Sequence, residues 1–390
     1  MFDYIVVGKG MMGTAVARYL SQNSDSVALI GPDEPTDFAT HEGVFSSHYD
    51  SGRITRRLDG SAIWARLADR SIAQYADIEQ RSGVTFYHQT GGVTVGPKEG
   101  KIEATTAVGQ QLNIPFGQYT SETIPPELCL RFPPGLTVLH EQNGAGYIDP
   151  RKLVAAQTII AQQQGTTVMN ETVQSLRTLA DQVAVVMANG RERLARKVVV
   201  AAGAYTTFLL PRPLDFVINP RTIVMAQLSA AESQRLANMP TTIFADGVAE
   251  AELEGTYSVP PTLYPDGHTY LKIGGQLRDV QPVKTAVAIQ QWFNQGGSQH
   301  EADALQAVLF SMVPDLQAER IVTKPCIITT TAHGNPYIDT IEGGKIVIAA
   351  GGNGTAAKSS NEIGRLAALL AMGEWDDTFA SADFRAVWGN

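Results

Sequence analysis

The sequence is poor in cysteine, in excess positive charge and in long apolar runs. Cys129 and Cys326 are the two cysteines among 390 residues, so the chain has no disulfide framework, as expected in a reducing compartment. The net charge of −9 disfavours a nucleic-acid partner, which requires a basic face. No apolar run approaches the ~20 residues that cross a bilayer, and the start "MFDYIVVGKG" lacks the basic region of a signal peptide. These absences predict a cytoplasmic protein without a nucleic-acid or membrane partner.

Three apolar stretches that end in glycine are the main positive feature of the sequence. They are "DYIVVGKGMMG" near the start, "RKVVVAAGAYT" in the middle and "GKIVIAAGGNG" near the end. The first is followed by the helical pattern "TAVARYLSQN" and a second apolar strand, "SVALIG", which together form a βαβ unit of a parallel sheet. We therefore predict an α/β fold with a Rossmann-type nucleotide-binding domain that is discontinuous in sequence.

The stretches between these junctions have a different pattern. Apolar and polar residues alternate there and are interrupted by Pro, Gly and Asp, which is typical of antiparallel strands. We predict an inserted α+β domain with an antiparallel sheet that binds the substrate. The predicted boundaries are 1–80, 146–215 and 320–390 for the cofactor domain, and 81–145 and 216–319 for the substrate domain.

The first glycine junction matches the dinucleotide-binding pattern G-x-G-x-x-G. Gly8 permits the tight turn, Gly10 lets the backbone approach a pyrophosphate, and Gly13 lets the helix pack closely. The setting between a strand and a helix is the one that this pattern requires. The alternative is a tight turn in an α/β domain that holds no nucleotide.

The second strand does not end in the acid that usually binds the adenosine ribose. Gly31 stands near that position, so Asp33, Glu34 or backbone groups remain as candidates, and Asp33 is the predicted ligand. The pattern alone suits NAD or FAD. The late return of two strands to the same sheet favours a long, permanently held cofactor, namely FAD.

The order of several motifs resembles a known family. The chain resembles the FAD-dependent amine and amino-acid oxidases of the D-amino-acid oxidase superfamily, and the monomeric sarcosine oxidase branch most closely. The resemblance runs nearly end to end and implies an enzyme that oxidises CH–NH bonds. Its motifs are "DYIVVGKGMMG", "SSHYDSGRITRR", "TGGVTVGPKEG", "KVVVAAGAYT", "YLKIGGQ", "KPCIITTTAHGNPYID" and "IVIAAGGNGTAAKSSNEIGR".

The resemblance gives Cys326 a possible chemical role. In sarcosine oxidase the matching cysteine carries the flavin through a thioether at the 8α-methyl group. We therefore expect FAD to be attached through Cys326. The alternative is a buried, unreacted thiol, a common fate of free cysteine. Cys129 matches no such position.

Three basic residues match family positions around the substrate and the flavin. The resemblance implies that Arg56 and Lys358 bind the substrate carboxylate and that Arg53 lies over the flavin face. A planar guanidinium suits bidentate binding of a carboxylate. The alternatives are an exposed basic cluster balanced by Asp50 and Asp59, and a solvated lysine at a helix start.

Lys272 matches the family lysine that holds a water against flavin N5 and promotes oxygen reduction. A strand lysine that extends to solvent is the alternative. Two positions depart from the family, because Gln276 replaces its histidine and Ile328 its tyrosine. We therefore expect Gln276 in the active site and a secondary amino acid other than sarcosine.

The remaining predicted cofactor contacts are Val173, Gly203, Gly352, Gly354 and Lys358, and we predict no metal ligands. The expected reaction is oxidation of a small carboxylated amine by hydride transfer to flavin N5, hydrolysis of the imine and reduction of O2 to hydrogen peroxide. Two alternatives remain open: a flavin dehydrogenase with a quinone or carrier acceptor, and a flavoprotein scaffold without turnover. The oligomeric state does not follow from the sequence.

Overall fold

The structure is a computed structural model that describes residues 1–245 and 252–389. The α-helices of these ranges are α1 (Met11–Leu20), α2 (Ala62–Ile72), α3 (Tyr75–Ser82), α4 (Lys101–Gln111), α5 (Pro150–Gln163), α6 (Thr206–Leu209), α7 (Ala230–Arg235), α8 (Ala286–Gln295), α9 (Gln299–Met312) and α10 (Ser360–Met372). Within the same ranges, every helix is too short or too polar to serve as a transmembrane span.

The strands fall into three sheets. Their bounds are β1 (Phe2–Val7), β2 (Val27–Ile30), β3 (Arg53–Thr55), β4 (Tyr87–His88), β5 (Gly92–Gly96), β6 (Gly117–Thr120), β7 (Thr137–Glu141), β8 (Gly146–Ile148), β9 (Thr167–Met169), β10 (Val173–Thr178), β11 (Val183–Met187), β12 (Glu192–Val200), β13 (Phe216–Leu228), β14 (Thr241–Ala245), β15 (Leu253–Leu263), β16 (Thr269–Leu277), β17 (Ala318–Thr331), β18 (Tyr337–Ile341) and β19 (Ile346–Ala350).

The first sheet joins strands from the beginning, middle and end of the chain. β19, β12, β1, β2 and β9 lie side by side in this order, and each neighbouring pair is parallel. The hairpin of β10 and β11 extends the early part of β12, and β18 pairs antiparallel with β19. This arrangement confirms the predicted α/β class. The three glycine junctions follow β1, β12 and β19, so all lie at the carboxyl edge of the parallel strands.

Helices α1 and α10 cover one face of this sheet and cross at close range. Val16, Leu20, Ile363 and Leu366 are fully buried between the helices and the strands. A Cβ at Gly364 would lie 2.4 Å from the Cβ of Ala15, so only glycine permits this approach. The close crossing fixes the start of α1, and with it the first glycine junction.

The second sheet has the order β17, β13, β16, β15, β14, β5, β7 and β6. Its neighbouring strands are antiparallel as predicted, with the exception of β5 and β14, which are parallel. These two strands are not joined by a hairpin, since several elements of the first sheet lie between them in sequence. A parallel pair requires such a long connection.

Strand β17 joins the second sheet along its whole length. It pairs with β13 from Thr331 opposite Phe216 to Ala318 opposite Leu228. The prediction assigned residue 320 onward to the cofactor domain, because an apolar run does not indicate which sheet it joins. Strand β17 therefore belongs to the second sheet, and the predicted domain boundaries stay predictions.

The two faces of the second sheet differ in character. On β16, Leu271 and Ile273 pack beneath α9, whereas Lys272 points to the opposite face because side chains alternate along a strand. Cys326 on β17 lies directly opposite Arg221 on β13. The face away from α9 thus carries the charged and reactive side chains.

Candidate functional site

A cavity of about 390 Å³, here called the main cavity, lies where the three glycine junctions meet the second sheet. Most of the predicted cofactor contacts line it. They are Gly8, Gly10, Arg53, Val173, Gly203, Cys326, Gly352 and Gly354. Its wall thus combines a strand–glycine–helix junction with residues far apart in sequence, as a long dinucleotide requires.

The first glycine junction fits a pyrophosphate. Gly8 has a φ of +111°, and a Cβ there would lie 2.3 Å from the carbonyl oxygen of Ala201. A Cβ at Gly13 would lie 1.8 Å from the carbonyl oxygen of Gly8, so this glycine permits the turn itself. A Cβ at Gly10 would instead point into the main cavity, with the Nδ1 of His48 at 3.7 Å as its nearest neighbour. The space beside Gly10 lies at the N-terminus of α1, where backbone N–H groups bind phosphate.

The predicted ribose ligand has other partners. The Asp33 carboxylate accepts hydrogen bonds from Lys9 and Asn170, and its side chain is 65% exposed. Lys9 and Gly31 line the main cavity instead. A contact between Asp33 and the ribose therefore stays a prediction.

Asp50 forms a buried cluster with Arg53 and Lys272. The Lys272 Nζ donates to Asp50 Oδ2 at 2.8 Å and also to the Gly52 carbonyl, and the Arg53 Nε lies 3.1 Å from the same carboxylate oxygen. The Tyr264 hydroxyl donates to Asp50 Oδ1 at 2.8 Å. Burial raises the pKa of Asp50, but Lys272 and Arg53 outweigh it and hold that pKa well below its usual range. Burial lowers the pKa of Lys272, which Asp50 partly offsets.

Asp59 forms a second buried cluster of the same composition. The Lys358 Nζ donates to Asp59 Oδ2 at 2.8 Å, and the Arg56 Nη1 lies 3.4 Å from the same oxygen. Burial raises the pKa of Asp59, but Lys358 and Arg56 outweigh it and hold that pKa well below its usual range. Burial lowers the pKa of Lys358 to about 8, although Asp59 acts in the opposite direction.

The two clusters come from one symmetrical segment, Asp50–Asp59, with the pattern D-x-x-R-x-x-R-x-x-D. Each aspartate pairs with the arginine three residues away and with a lysine 222 or 299 residues away in the chain. The middle of the segment is β3, which pairs with β8. The structure thus brings Arg53 together with Lys272, and Arg56 together with Lys358.

The alternative of an exposed basic cluster was right about the acids and wrong about the exposure. The aspartates do pair with the arginines, but all six side chains of the two clusters are at least four-fifths buried. Buried charges must be paired, which explains why each arginine–lysine pair has an aspartate. The spacing of the acids was the sequence signal for these pairs.

Cys326 is buried at the boundary between the main cavity and a second cavity of about 300 Å³. The Arg53 Nη2 donates to the Cys326 Sγ at 3.3 Å and to the Ser47 carbonyl at 2.9 Å. Arg53 also lines both cavities, and Asp50 lines the second. The thiol therefore faces the main cavity from the second sheet, and the thioether to FAD stays a prediction.

Tyr257 is a site residue that the sequence did not reveal. Its hydroxyl would lie 2.6 Å from a Cβ at Gly274, so the ring packs over that glycine, on the same face of β16 as Lys272 and Gln276. The Lys272 Nζ lies 5.6 Å from the centre of the Tyr257 ring. Gln276 is half-buried, and Ile328 lines the main cavity. The glycine pair in "KIGGQ" was the available signal, since glycine in a strand marks a close approach.

His48 lies between the main cavity and several cations. Burial, together with Arg151, Lys9 and Arg53, lowers the pKa of His48 to about 3. Its imidazole is therefore neutral at physiological pH and can both donate and accept one hydrogen bond. No spacing or motif in the sequence distinguishes this histidine from the others.

Comparison with known sequences gives a consistent assignment. Residues 3–370 match the family described as FAD dependent oxidoreductase. The chain is 26% identical over 383 residues to monomeric sarcosine oxidase of Bacillus sp. (strain B-0618), covering 95% of this chain and 92% of that protein. It is 26% identical over 215 residues to N-methyl-L-tryptophan oxidase of Yersinia pestis (strain Pestoides F), covering 54% of this chain and 56% of that protein.

Solved structures with the same fold include two amino-acid oxidases. A tyrosine-to-phenylalanine mutant of NikD, an unusual amino acid oxidase essential for nikkomycin biosynthesis, superposes with a TM-score of 0.81 at 22% identity, covering 100% of this chain and 98% of that one. Glycine oxidase from Geobacillus kaustophilus gives a TM-score of 0.76 at 20% identity, covering 98% of each chain. These likenesses concern the fold. Together with the family match, which confirms the resemblance predicted from the motifs, they lead to one assignment: the chain belongs to the family of FAD dependent oxidoreductases, and FAD is its cofactor.

Proposed function

We propose that the protein is an FAD-dependent oxidase of a secondary or N-substituted amino acid other than sarcosine. The substrate loses a hydride from carbon and a proton from nitrogen, which together are two electrons and two protons, to become an imine, which water hydrolyses to an amine and a carbonyl compound. O2 takes up the two electrons and the two protons and leaves as hydrogen peroxide. The names of the sarcosine oxidase and N-methyl-L-tryptophan oxidase relatives support this class of substrate.

The observation that carries the proposal is the convergence of Arg56 and Lys358 on one carboxylate oxygen. Arg56 directly follows β3, and Lys358 follows β19. Both side chains contact Asp59 Oδ2. Ala356 and Ala357, which precede Lys358, line the main cavity. Arg56 and Lys358 already bind one carboxylate, that of Asp59, beside the main cavity. The same two cations therefore have the geometry to bind a substrate carboxylate.

The residues of the chain act by position and charge, whereas FAD supplies the electron acceptor. Arg56 and Lys358 bind the carboxylate and so fix the direction of the substrate's CH–NH bond, which raises the rate by orientation. Tyr257 and Gln276 share the face of the second sheet that carries Lys272, and they are proposed to contact the amine substituent. The amine must be neutral for its lone pair to assist C–H cleavage.

Lys272 is proposed to stabilise negative charge that develops on O2 during its reduction. One observation favours a second candidate function, a dehydrogenase with another acceptor. The Lys272 ammonium is bound to Asp50, which partly neutralises its positive charge. The rate at which O2 reoxidises the flavin distinguishes the two functions.

The test is a spectral screen of the yellow protein without oxygen. N-alkyl glycines, cyclic imino acids, opines and D-amino acids are added in turn, each beside the matching amine without its carboxylate. We expect at least one carboxylated compound to bleach the flavin while its decarboxylated control does not. A protein that no amine bleaches would contradict the proposal and favour the scaffold.

Admission of air to the bleached protein then tests the acceptor. If the protein is an oxidase, O2 reoxidises its flavin as fast as the enzyme turns over, the yellow colour returns and peroxide forms. In Lys272→Met we expect this reoxidation to be slower by tenfold or more. Slow recovery in the wild-type protein, with rapid recovery on addition of a quinone, would identify the dehydrogenase.

A further inference from the structure

The acid nearest to the proposed carboxylate-binding site belongs to the protein itself. Lys358 and Arg56 both bind Oδ2 of Asp59, at 2.8 Å and 3.4 Å. Resting on the proposed function, we infer that Asp59 occupies the position of the substrate carboxylate, and that a substrate binds by displacing this side chain from the two cations. Asp59 thereby sets the affinity of the site for carboxylates, since it competes with every carboxylate that enters.

Simultaneous binding of two carboxylates is disfavoured by charge. Arg56 and Lys358 together carry two positive charges, and Asp59 already neutralises one of them. A second carboxylate at the same two cations would lie within about 4 Å of the first, where like charges repel strongly at the low effective dielectric of a buried site. Displacement removes this repulsion and leaves one carboxylate between the two cations.

Asp59 is held less firmly than its counterpart in the other cluster. Oδ1 of Asp50 accepts a hydrogen bond from the buried Tyr264 hydroxyl. Oδ1 of Asp59 accepts instead from the backbone N–H of Ser61, two residues away, at 3.0 Å. Rotation of the Asp59 side chain towards that N–H breaks its two ionic contacts without loss of the local hydrogen bond.

The start of α2 offers the displaced carboxylate a favourable environment. Ser61 is the N-cap of α2, and its side chain makes no capping hydrogen bond. The first N–H groups of a helix lack intrahelical partners and attract negative charge. The Asp59 carboxylate can thus leave Arg56 and Lys358 for the N-terminus of α2, while the substrate carboxylate binds the two cations.

The resting function of Asp59 follows from the same contacts. Without an anion, Arg56 and Lys358 would be two buried cations side by side, which is unfavourable unless they are paired. Asp59 keeps both charged and oriented while no substrate is bound. It therefore preorganises the site and at the same time lowers its affinity for every carboxylate.

Binding of a carboxylate that cannot be oxidised tests this inference without turnover. Propionate is titrated into the flavoprotein by calorimetry, with propionamide as the uncharged control. In Asp59→Asn we expect propionate to bind at least tenfold more tightly than in the wild type, equivalent to about 1.4 kcal/mol, and propionamide to be unchanged. Asp77→Asn removes one exposed acid on α3 and controls for net charge; it should leave both affinities unchanged. Unchanged or weaker propionate binding in Asp59→Asn would overturn the inference.

A crystal structure of the wild-type protein with propionate provides a second test, which does not depend on the folding of a variant. We expect the propionate carboxylate between Arg56 and Lys358, and the Asp59 side chain turned towards α2. Propionate bound elsewhere, with both contacts of Asp59 intact, would overturn the inference. Tighter propionate binding in Asp59→Asn without flavin bleaching by any amine would contradict the proposed function alone.

Discussion

Lys358 is the residue whose charge state should respond to pH in the working range. Its pKa is lowered to about 8 by burial, so the ammonium is present below that pH and is lost above it. We expect the dissociation constant of propionate to rise about tenfold per pH unit above about pH 8. Lys358→Arg, whose guanidinium stays charged, should abolish this rise up to pH 10. A rise that persists in Lys358→Arg would assign the titration to another group.

Asp50 and Lys272 form a pair whose coupling can be measured. Asp50→Asn leaves the buried cations Lys272 and Arg53 without their carboxylate, which costs about 3–5 kcal/mol of unfolding free energy, whereas Lys272→Met leaves Asp50 paired with Arg53 and costs less. We therefore expect Asp50→Asn and Lys272→Met each to destabilise the protein, and the double variant to lose less than the sum. Urea unfolding of the four proteins gives the coupling energy.

The exposed pair Asp77 and Arg81 on α3 is a control for this cycle. It has a similar ionic contact, at 3.4 Å, but both side chains are more than one-third exposed. Exposed pairs four residues apart on a helix contribute about 0.3–0.5 kcal/mol. A coupling of Asp50 with Lys272 that is no larger than this would contradict the buried cluster.

At the scale of residues, the residues of the site were easier to predict than the ion pairs that they form. The basic residues and Cys326 follow from motif positions, and the acids are visible in the spacing of Asp50 and Asp59. Their pairing with lysines more than 200 residues away is not visible in one sequence. Tyr257 was missed because it reaches Lys272 across a hairpin whose pairing shifts register between Val259 and Thr262.

The turn between β1 and α1 distinguishes two kinds of glycine. A Cβ at Gly13 would collide with the Gly8 carbonyl, whereas a Cβ at Gly10 would enter the main cavity. We expect Gly13→Ala to lower the free energy of unfolding of the protein without FAD by about 1–3 kcal/mol, as overpacking does. Gly10→Ala should leave that free energy unchanged within about 0.5 kcal/mol, yet weaken FAD binding by tenfold or more.

Gly117→Ala is the matched control for both variants. Gly117 lies on the exposed strand β6, and a Cβ there would have its nearest contact at 3.6 Å, with the ring of Tyr119. Flavin fluorescence measures FAD affinity, and urea unfolding measures stability. Equal effects of Gly10→Ala and Gly13→Ala on stability would contradict the different roles of the two glycines.

At the scale of elements, the βαβ start was predictable, because period and glycine position are local. The parallel pairing of β5 with β14 was not, since it depends on connections that span several other elements. The same holds for β17. Its apolar pattern indicates a strand, but the sheet that it joins is a property of the whole chain.

At the scale of the whole molecule, the attachment of FAD through Cys326 can be tested directly. The glycine junctions that hold the nucleotide belong to the first sheet, whereas Cys326 lies on β17 of the second. If the thioether forms, FAD is a covalent link to the second sheet. We expect wild-type protein precipitated in acid to stay yellow, and Cys326→Ser to release its flavin.

Cys129→Ser should retain a yellow pellet, because that cysteine packs near α7 with its Sγ 3.5 Å from the Arg235 carbonyl. A colourless wild-type pellet would show that the Cys326 thiol stays free. Mass spectrometry of the peptide that contains Cys326 identifies the modification directly.

The position of β19 in the first sheet has a consequence for biosynthesis. This strand and the loop after it supply Gly352 and Gly354 to the main cavity, which residues 7–12 also line. A nascent polypeptide on the ribosome therefore lacks a complete FAD pocket until residues beyond 354 have emerged. We therefore expect the flavin to enter only after these distant segments of the apoprotein have come together, late in maturation.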